Sequence, residues 1–158
     1  MSKDEKKTTD FEVIVVNKKA RFEYEILEVF EAGIALTGNE IKSVRVGGIS
    51  LAESYVRPQQ GEIWLLGAHI KEYKFSHDST YDPMRPRKLL LHAREIHKLQ
   101  TKVEAKGLTV VPLRVYLKRG KAKLEIALAR GKHLYDKRES IIAREKDREA
   151  ARAVKGGH

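Results

Sequence analysis

The chain has 158 residues, no cysteine and a formal net charge of +10, with a pI near 9.7. That length suffices for one domain with a proper core, and the lack of cysteine excludes a disulfide framework and cysteine-ligated zinc and fits a reducing, cytoplasmic setting. No run approaches the ~18 apolar residues of a membrane helix, so no membrane association is expected.

The opening stretch MSKDEKKTTD is polar and has no apolar segment, so it is expected to be a disordered lead over residues 1–10 and not a secretory signal. FEVIVV (11–16) is a short branched apolar run and reads as a strand. Asn17 is placed to cap a short helix beginning at NKKAR. EYEILEVFEAG alternates Glu23, Glu25 and Glu28 with Tyr24, Ile26, Leu27 and Val29, which predicts a strand ending at Gly33, with IALTG as a second short strand beside it. TGNEIKSVRVGG (37–48) carries helix punctuation: Thr37 and Glu40 have capping-box spacing, Ile41 and Val44 share a face, Lys42 and Arg45 share another, and Gly47–Gly48 end the helix.

SYVRPQQGEIWLLGAHIKEY predicts a hairpin across PQQG. SHDSTYDPMRPRK (76–88) reads as an exposed, mobile loop. In LLLHAREIHKLQTKVEAKG, Ile96, Leu99 and Val103 form one helical stripe that Gly107 closes. LTVVPLRVYLKRGKAKLEIALARG is two strands joined at KRGKAK, with Leu124, Ile126 and Leu128 alternating against Lys123, Glu125 and Ala127. The fold class expected is mostly β with short helices: an OB-like, six-stranded antiparallel barrel over residues 11–130, about three flanking helices, and a basic C-terminal tail over 131–158.

The charge is uneven. Residues 1–111 carry 18 Lys/Arg against 16 Asp/Glu, a net of +2, whereas residues 112–158 carry 14 against 6, a net of +8. Such a footprint points to a polyanion. Catalytic signatures do not assemble. GISLA lacks the last glycine of a nucleophile elbow, no phosphate-binding glycine motif occurs, and His92 and His97 lie about 140° apart on a helix, too far round to share an ion. No enzymatic activity, cofactor or metal is expected. Four basic segments stand out instead: NKKAR (17–21), IKSVR (41–45), RPRK (85–88) and YLKRGKAK (116–123). Tyr24 and Tyr116 are candidates to stack on bases. Glu31-Ala32-Gly33 reads either as a strand end with glycine at positive φ or as a carboxylate facing base amino groups or ribose hydroxyls. On these features alone, an RNA-binding adaptor, a ribosomal OB-type protein and a nucleic-acid-processing enzyme all remain open.

EAGIAL, EIKSVR, DPMRPRKLLL and GKHLYDKR, in order within residues 13–150, together resemble the bacterial SsrA-binding proteins, the small protein B family. The resemblance implies an OB-like barrel without enzymatic activity that binds the tRNA-like domain of transfer-messenger RNA. It also implies delivery, with elongation factor Tu, to stalled ribosomes, where the incomplete protein is tagged for proteolysis. Glu31, Leu90 and Lys123 match the family's RNA-contacting positions, and Asn17, Lys18, Lys19, Arg21, Tyr24, Gly33, Lys42 and Arg45 are expected to extend that surface. The tail motif matches at Gly131, Lys132, Tyr135, Asp136, Lys137 and Arg138. The family implies that this tail meets the small subunit and its ribosomal RNA in the decoding centre and empty message channel. Its low hydrophobicity and high charge fit a segment disordered when free, while its helix formers would place Arg138, Arg144 and Arg148 on phosphates once it is folded.

Overall fold

The computed structural model describes residues 11–132; the expected lead and most of the expected tail lie outside the described residues. The elements are β1 (Phe11–Val16), α1 (Lys18–Glu23), β2 (Tyr24–Ile34), α2 (Gly38–Arg45), β3 (Ile49–Ser50), β4 (Tyr55–Gln59), β5 (Glu62–Leu66), β6 (His69–Ile70), β7 (Arg87–Leu90), α3 (Ala93–Lys106), β8 (Thr109–Lys118) and β9 (Lys121–Gly131). Every strand pair is antiparallel. The main sheet runs β1-β8-β4-β5-β7-β2-β9, and β9 pairs back onto β8. Six strands thereby make a closed circuit, and β1 shares one edge of β8 with β4: Val13 opposes Tyr116, whereas Val56 of β4 opposes Val110. The predicted mostly-β architecture with three helices is the one observed. Strands β3 and β6 form a separate two-stranded ribbon.

Alternation places Ile63, Leu65, Leu89, Val115, Leu124, Ile126 and Leu128 inside the circuit, in one core with Leu99 from α3 and Val44 from α2. Ile96 and Val103 complete the stripe that seats α3, and Gly107 closes the helix at φ 65°. A second, smaller apolar cluster lies under α1, where Ala20 meets Val111, Leu113, Ala127 and Ala129. Both long hairpins turn on two residues of positive φ, Gln60–Gly61 (50° and 78°) and Arg119–Gly120 (53° and 76°). That is the primed turn whose twist matches the flanking strands.

Several expectations need correction. IALTG is not a second strand: β2 continues through Gly33 to Ile34, and the chain enters α2 at Gly38. Asn17 precedes α1, but its side chain does not cap it; the amide donates instead to the Pro112 carbonyl at 2.9 Å. The short strands β3, β6 and β7 are additional to the sequence reading. Gly131 belongs to β9, and the Lys132 amide donates to the Glu23 carbonyl at 3.0 Å, so these two residues of the expected tail are part of the fold.

The largest correction concerns the 76–88 segment. Its cations are not free. Arg87 is fully buried, and its guanidinium donates to Glu40 Oε2 (2.6 Å from Nη2) and to the carbonyls of Ala68 (2.8 Å) and Pro83 (2.9 Å). Arg85 donates to both oxygens of the same carboxylate. The Tyr81 hydroxyl accepts from Arg87 at 3.0 Å and donates to the Ile70 carbonyl at 2.8 Å. Glu40 also completes the predicted capping box, accepting from the Thr37 amide at 3.0 Å while its own amide donates to Thr37 Oγ1 at 3.2 Å.

Burial alone would raise the Glu40 carboxyl, but hydrogen bonds from Arg85, the Thr37 amide and Arg87, with the charge of Arg87, hold it at about 2 against an ordinary 4.5. A pKa lowered by folding stabilises the fold above the ordinary value, and that contribution disappears as pH falls from 4.5 toward 2. Glu40→Gln leaves the buried Arg87 without its counter-charge, which costs about 3–5 kcal/mol at neutral pH. Urea unfolding at pH 7 and pH 3 is expected to show a large acid-induced loss for the parent protein and a much smaller one for the variant.

Candidate nucleic-acid interface

The pairing register puts Leu90 of β7, Gly33 of β2, Lys123 of β9, Tyr116 of β8 and Val13 of β1 in one row across five strands. Directly paired residues share a face. Glu31, two positions before Gly33, therefore lies on the same face. This is the outer face, because the intervening Ala32, Leu124 and Val115 are in the core.

On this face the Tyr116 hydroxyl donates to Glu31 Oε2, and Lys118 Nζ lies 3.4 Å from the same oxygen. The Tyr116 hydrogen bond is the main cause that lowers the Glu31 carboxyl, assisted by Lys118 and Lys123 and opposed by partial burial. Burial and the Glu31 charge raise the Tyr116 phenol, so the tyrosine stays the donor and Glu31 the anion. Arg114 pairs with Glu125 at 3.2 Å and lies over the rings of Phe11 (5.4 Å) and Tyr116 (5.1 Å). The Phe11 and Tyr116 centroids are 4.9 Å apart. Tyr116 is consequently only 3% exposed, which overturns the expectation that its ring is open to a base. Its work is to fix Glu31.

Gly33 is explained by close approach, not by its backbone angle: it is absent from the positive-φ glycines, and a Cβ there would sit 3.3 Å from Leu90 Cβ. Leu90 lies across it and is 52% exposed. The face thus offers a held carboxylate, an apolar side chain and flanking ammonium groups. A carboxylate can accept from base amino groups or a ribose 2′-hydroxyl, while lysines take phosphates.

Helix α2 adds to this end of the circuit. Arg45 Nη2 donates to the Gly120 carbonyl at 3.2 Å, which brings the helix carrying Lys42 and Arg45 against the exposed turn of Lys118, Arg119 and Lys121. The structure does not bring α1 to the same place. Tyr24 pairs with Gly131 at the far end of β2 and β9. Lys123 and Gly131 are eight positions apart along β9, a span of about 26 Å. Lys18, Lys19 and Arg21 are exposed there, beside Lys132, and Tyr24 is half-buried against the cluster under α1. Asn17 is occupied with the β8 backbone: its own amide N–H donates to the Leu113 carbonyl at 2.7 Å, in addition to its side-chain bond to Pro112. Tyr135, Asp136, Lys137, Arg138, Arg144 and Arg148 lie outside the described residues. Among the described residues no three His, Asp or Glu side chains are grouped to hold a metal ion, and no helix is long and apolar enough to cross a membrane.

A closed antiparallel circuit with a carboxylate and cations gathered on its outer face defines the class: a small, mostly-β, OB-like domain. The family described as SmpB protein matches residues 14–156. The SsrA-binding protein of Solidesulfovibrio magneticus is 53% identical over 142 residues, covering 90% of this chain and 92% of its own. That of Trichormus variabilis is 53% identical over 150 residues, covering 94% and 97%. A chain of the solved structure "tmRNA-SmpB: a journey to the center of the bacterial ribosome" superposes with a TM-score of 0.64 at 45% identity, covering 82% of this chain and 95% of that one. The chain belongs to the SmpB family, the SsrA-binding proteins.

Tyr116→Phe removes the bond that fixes Glu31. A side-chain NMR titration is expected to show the Glu31 carboxyl moving up toward its ordinary range, with a stability loss of about 1 kcal/mol. An unmoved Glu31 titration would assign the lowered value to the lysines instead.

Proposed function

We propose that this chain is an RNA-binding adaptor of trans-translation. Its outer β face takes the tRNA-like domain of transfer-messenger RNA, and the chain accompanies that RNA, with elongation factor Tu, through the cytoplasm to stalled ribosomes. The observation that carries the reading is the single row on which Leu90, Gly33 and Lys123 meet beside the anchored Glu31. These are the residues that the sequence motifs single out, and the fold gathers them on one accessible face. Family membership and the likeness to a tmRNA-SmpB chain support it.

In this reading the recognition is divided. Lys118, Lys123 and the α2 cations neutralise phosphates, which makes binding salt-dependent. Glu31 reads hydrogen-bond donors of the folded RNA, and Leu90 supplies apolar contact. The segment beyond Lys132 serves the ribosome, entering the decoding centre and the empty message channel with Arg138, Arg144 and Arg148 on ribosomal phosphates. Lys18, Lys19 and Arg21 then belong to a separate contact, because α1 lies at the opposite end of β2.

Glu31→Ala is expected to weaken binding of the tRNA-like domain by about tenfold, the effect of one lost charge-assisted contact. Lys123→Ala should weaken it less and flatten the salt dependence by about one phosphate contact. Gel-shift titrations in a salt series read both; affinities unchanged from the parent protein would refute the assignment. A chain ending at Lys132 is expected to keep its RNA affinity and lose tagging of stalled nascent chains in a reconstituted translation assay. Tagging at the full-length rate would contradict the division of labour.

A further inference from the structure

Helix α2 ends beside a feature that neither the sequence motifs nor the outer β face absorbs. Residues 71–76 cross the end of α2 without regular structure. They are held there by Ser43 Oγ donating to the Lys71 carbonyl at 2.6 Å and by the Lys71 amide donating to the Gly48 carbonyl at 2.8 Å. This anchoring presents two rings. Tyr73 and Phe75 pack edge to face, 5.4 Å between centroids at 67°. Phe75 is 64% exposed, and Val46 across the cleft is 78% exposed. Large apolar side chains left this open in a group mark a contact surface.

The cleft has a volume of about 520 Å³, and its lining includes Val46, Lys71, Tyr73, Lys74 and Phe75. Gly47 and Gly48 also line it, and a Cβ on Gly48 would come within 2.3 Å of Ser43 Oγ, so glycine there lets the 71–76 segment anchor on α2. The charge is one-sided. Lys42 Nζ lies 5.6 Å from the Tyr73 ring and Lys74 Nζ 5.0 Å from the Phe75 ring, with Lys71 in the lining and Glu72 as its acid. A protein-binding patch favours apolar rings with few charges at its centre. Rings interleaved with ammonium groups fit unpaired nucleotides, whose bases stack while the flanking phosphates take the cations.

We propose that the Tyr73–Phe75 cleft is a second RNA contact that stacks an unpaired nucleobase and holds its phosphates with Lys42, Lys71 and Lys74. It rests on the reading of this chain as an RNA binder, but it shares only Lys42 of α2 with the Glu31 face; its rings, Lys71 and Lys74 are separate from that face and work by a different chemistry. The row reads a folded RNA by hydrogen bonds; the cleft takes single-stranded RNA by stacking, with little dependence on base identity.

The test uses the full chain and an octaribonucleotide of uridine, itself little stacked, with one central 2-aminopurine, whose fluorescence falls on stacking. The parent protein is expected to quench it. Phe75→Leu is expected to lower the affinity about tenfold, the loss of one base–aromatic stack. Phe75→Trp should retain it, and Tyr55→Leu, at an exposed tyrosine elsewhere on the surface, should bind like the parent protein. Thermal melting of each variant confirms that it is folded. Equal affinity for Phe75→Leu and the parent, or no quenching by the parent, would overturn the proposal, the latter in favour of a protein partner for the rings. Binding of the tRNA-like domain, measured in parallel, is independent: its failure with quenching intact would sink the adaptor reading and leave the cleft standing.

Discussion

The Glu40 carboxylate is the constraint on which this structure depends. Its side chain is fully buried, it closes the capping box of α2, and it receives two guanidinium groups from a segment 45 and 47 residues downstream. A buried carboxylate without partners would be expelled or protonated. Here the partners come from three pieces of chain: Thr37 before α2, Arg85 in the long connection with Tyr81 Oη 3.2 Å away, and Arg87 at the start of β7. One charge thus joins the end of β2, helix α2 and the β6–β7 connection. Replacing the whole cluster with well-packed apolar side chains costs little by itself, but the cluster fixes geometry. It sets where α2 lies, and so where Lys42 and Arg45 stand.

That placement matters because the proposed RNA-binding face is built from strands and borrows its edge from a helix. The row Leu90–Gly33–Lys123–Tyr116 is set by backbone pairing across the circuit, so the order and spacing of its residues are fixed before any ligand arrives. Tyr116, under Phe11 and Arg114, locks the Glu31 carboxylate in its charged state. A preformed acceptor reads hydrogen-bond donors at less entropic cost than a free one. The cations around it are mostly exposed and contribute little to folding. They are available for phosphates.

Local chemistry made much of this legible in the sequence. Thr37 and Glu40 announced the start of α2, PQQG and KRGK announced the two hairpins, and Gly107 announced the end of α3, because each signal acts within a few residues. What stayed hidden is non-local. Arg85 and Arg87 looked like open phosphate ligands, since nothing near them in the chain shows the carboxylate that claims them. Tyr116 looked like a stacking platform, since only the register of β1 on β8 places Phe11 over it. Gly33 suggested a strand end at positive φ, whereas the side chain that needs its missing Cβ arrives from β7. The strands β3 and β6 are two residues each, too short for any periodicity to reveal.

The central claim is that the outer face around Glu31 meets the tRNA-like domain. The most direct measurement is an amide chemical-shift map of the isotope-labelled protein titrated with that domain. Shifts are expected to concentrate on Glu31, Gly33, Leu90, Lys123 and the Lys118–Lys121 turn, with the interior strand residues between them less affected. A map centred on α1 and the far end of β9, with the Glu31 row unmoved, would contradict the account.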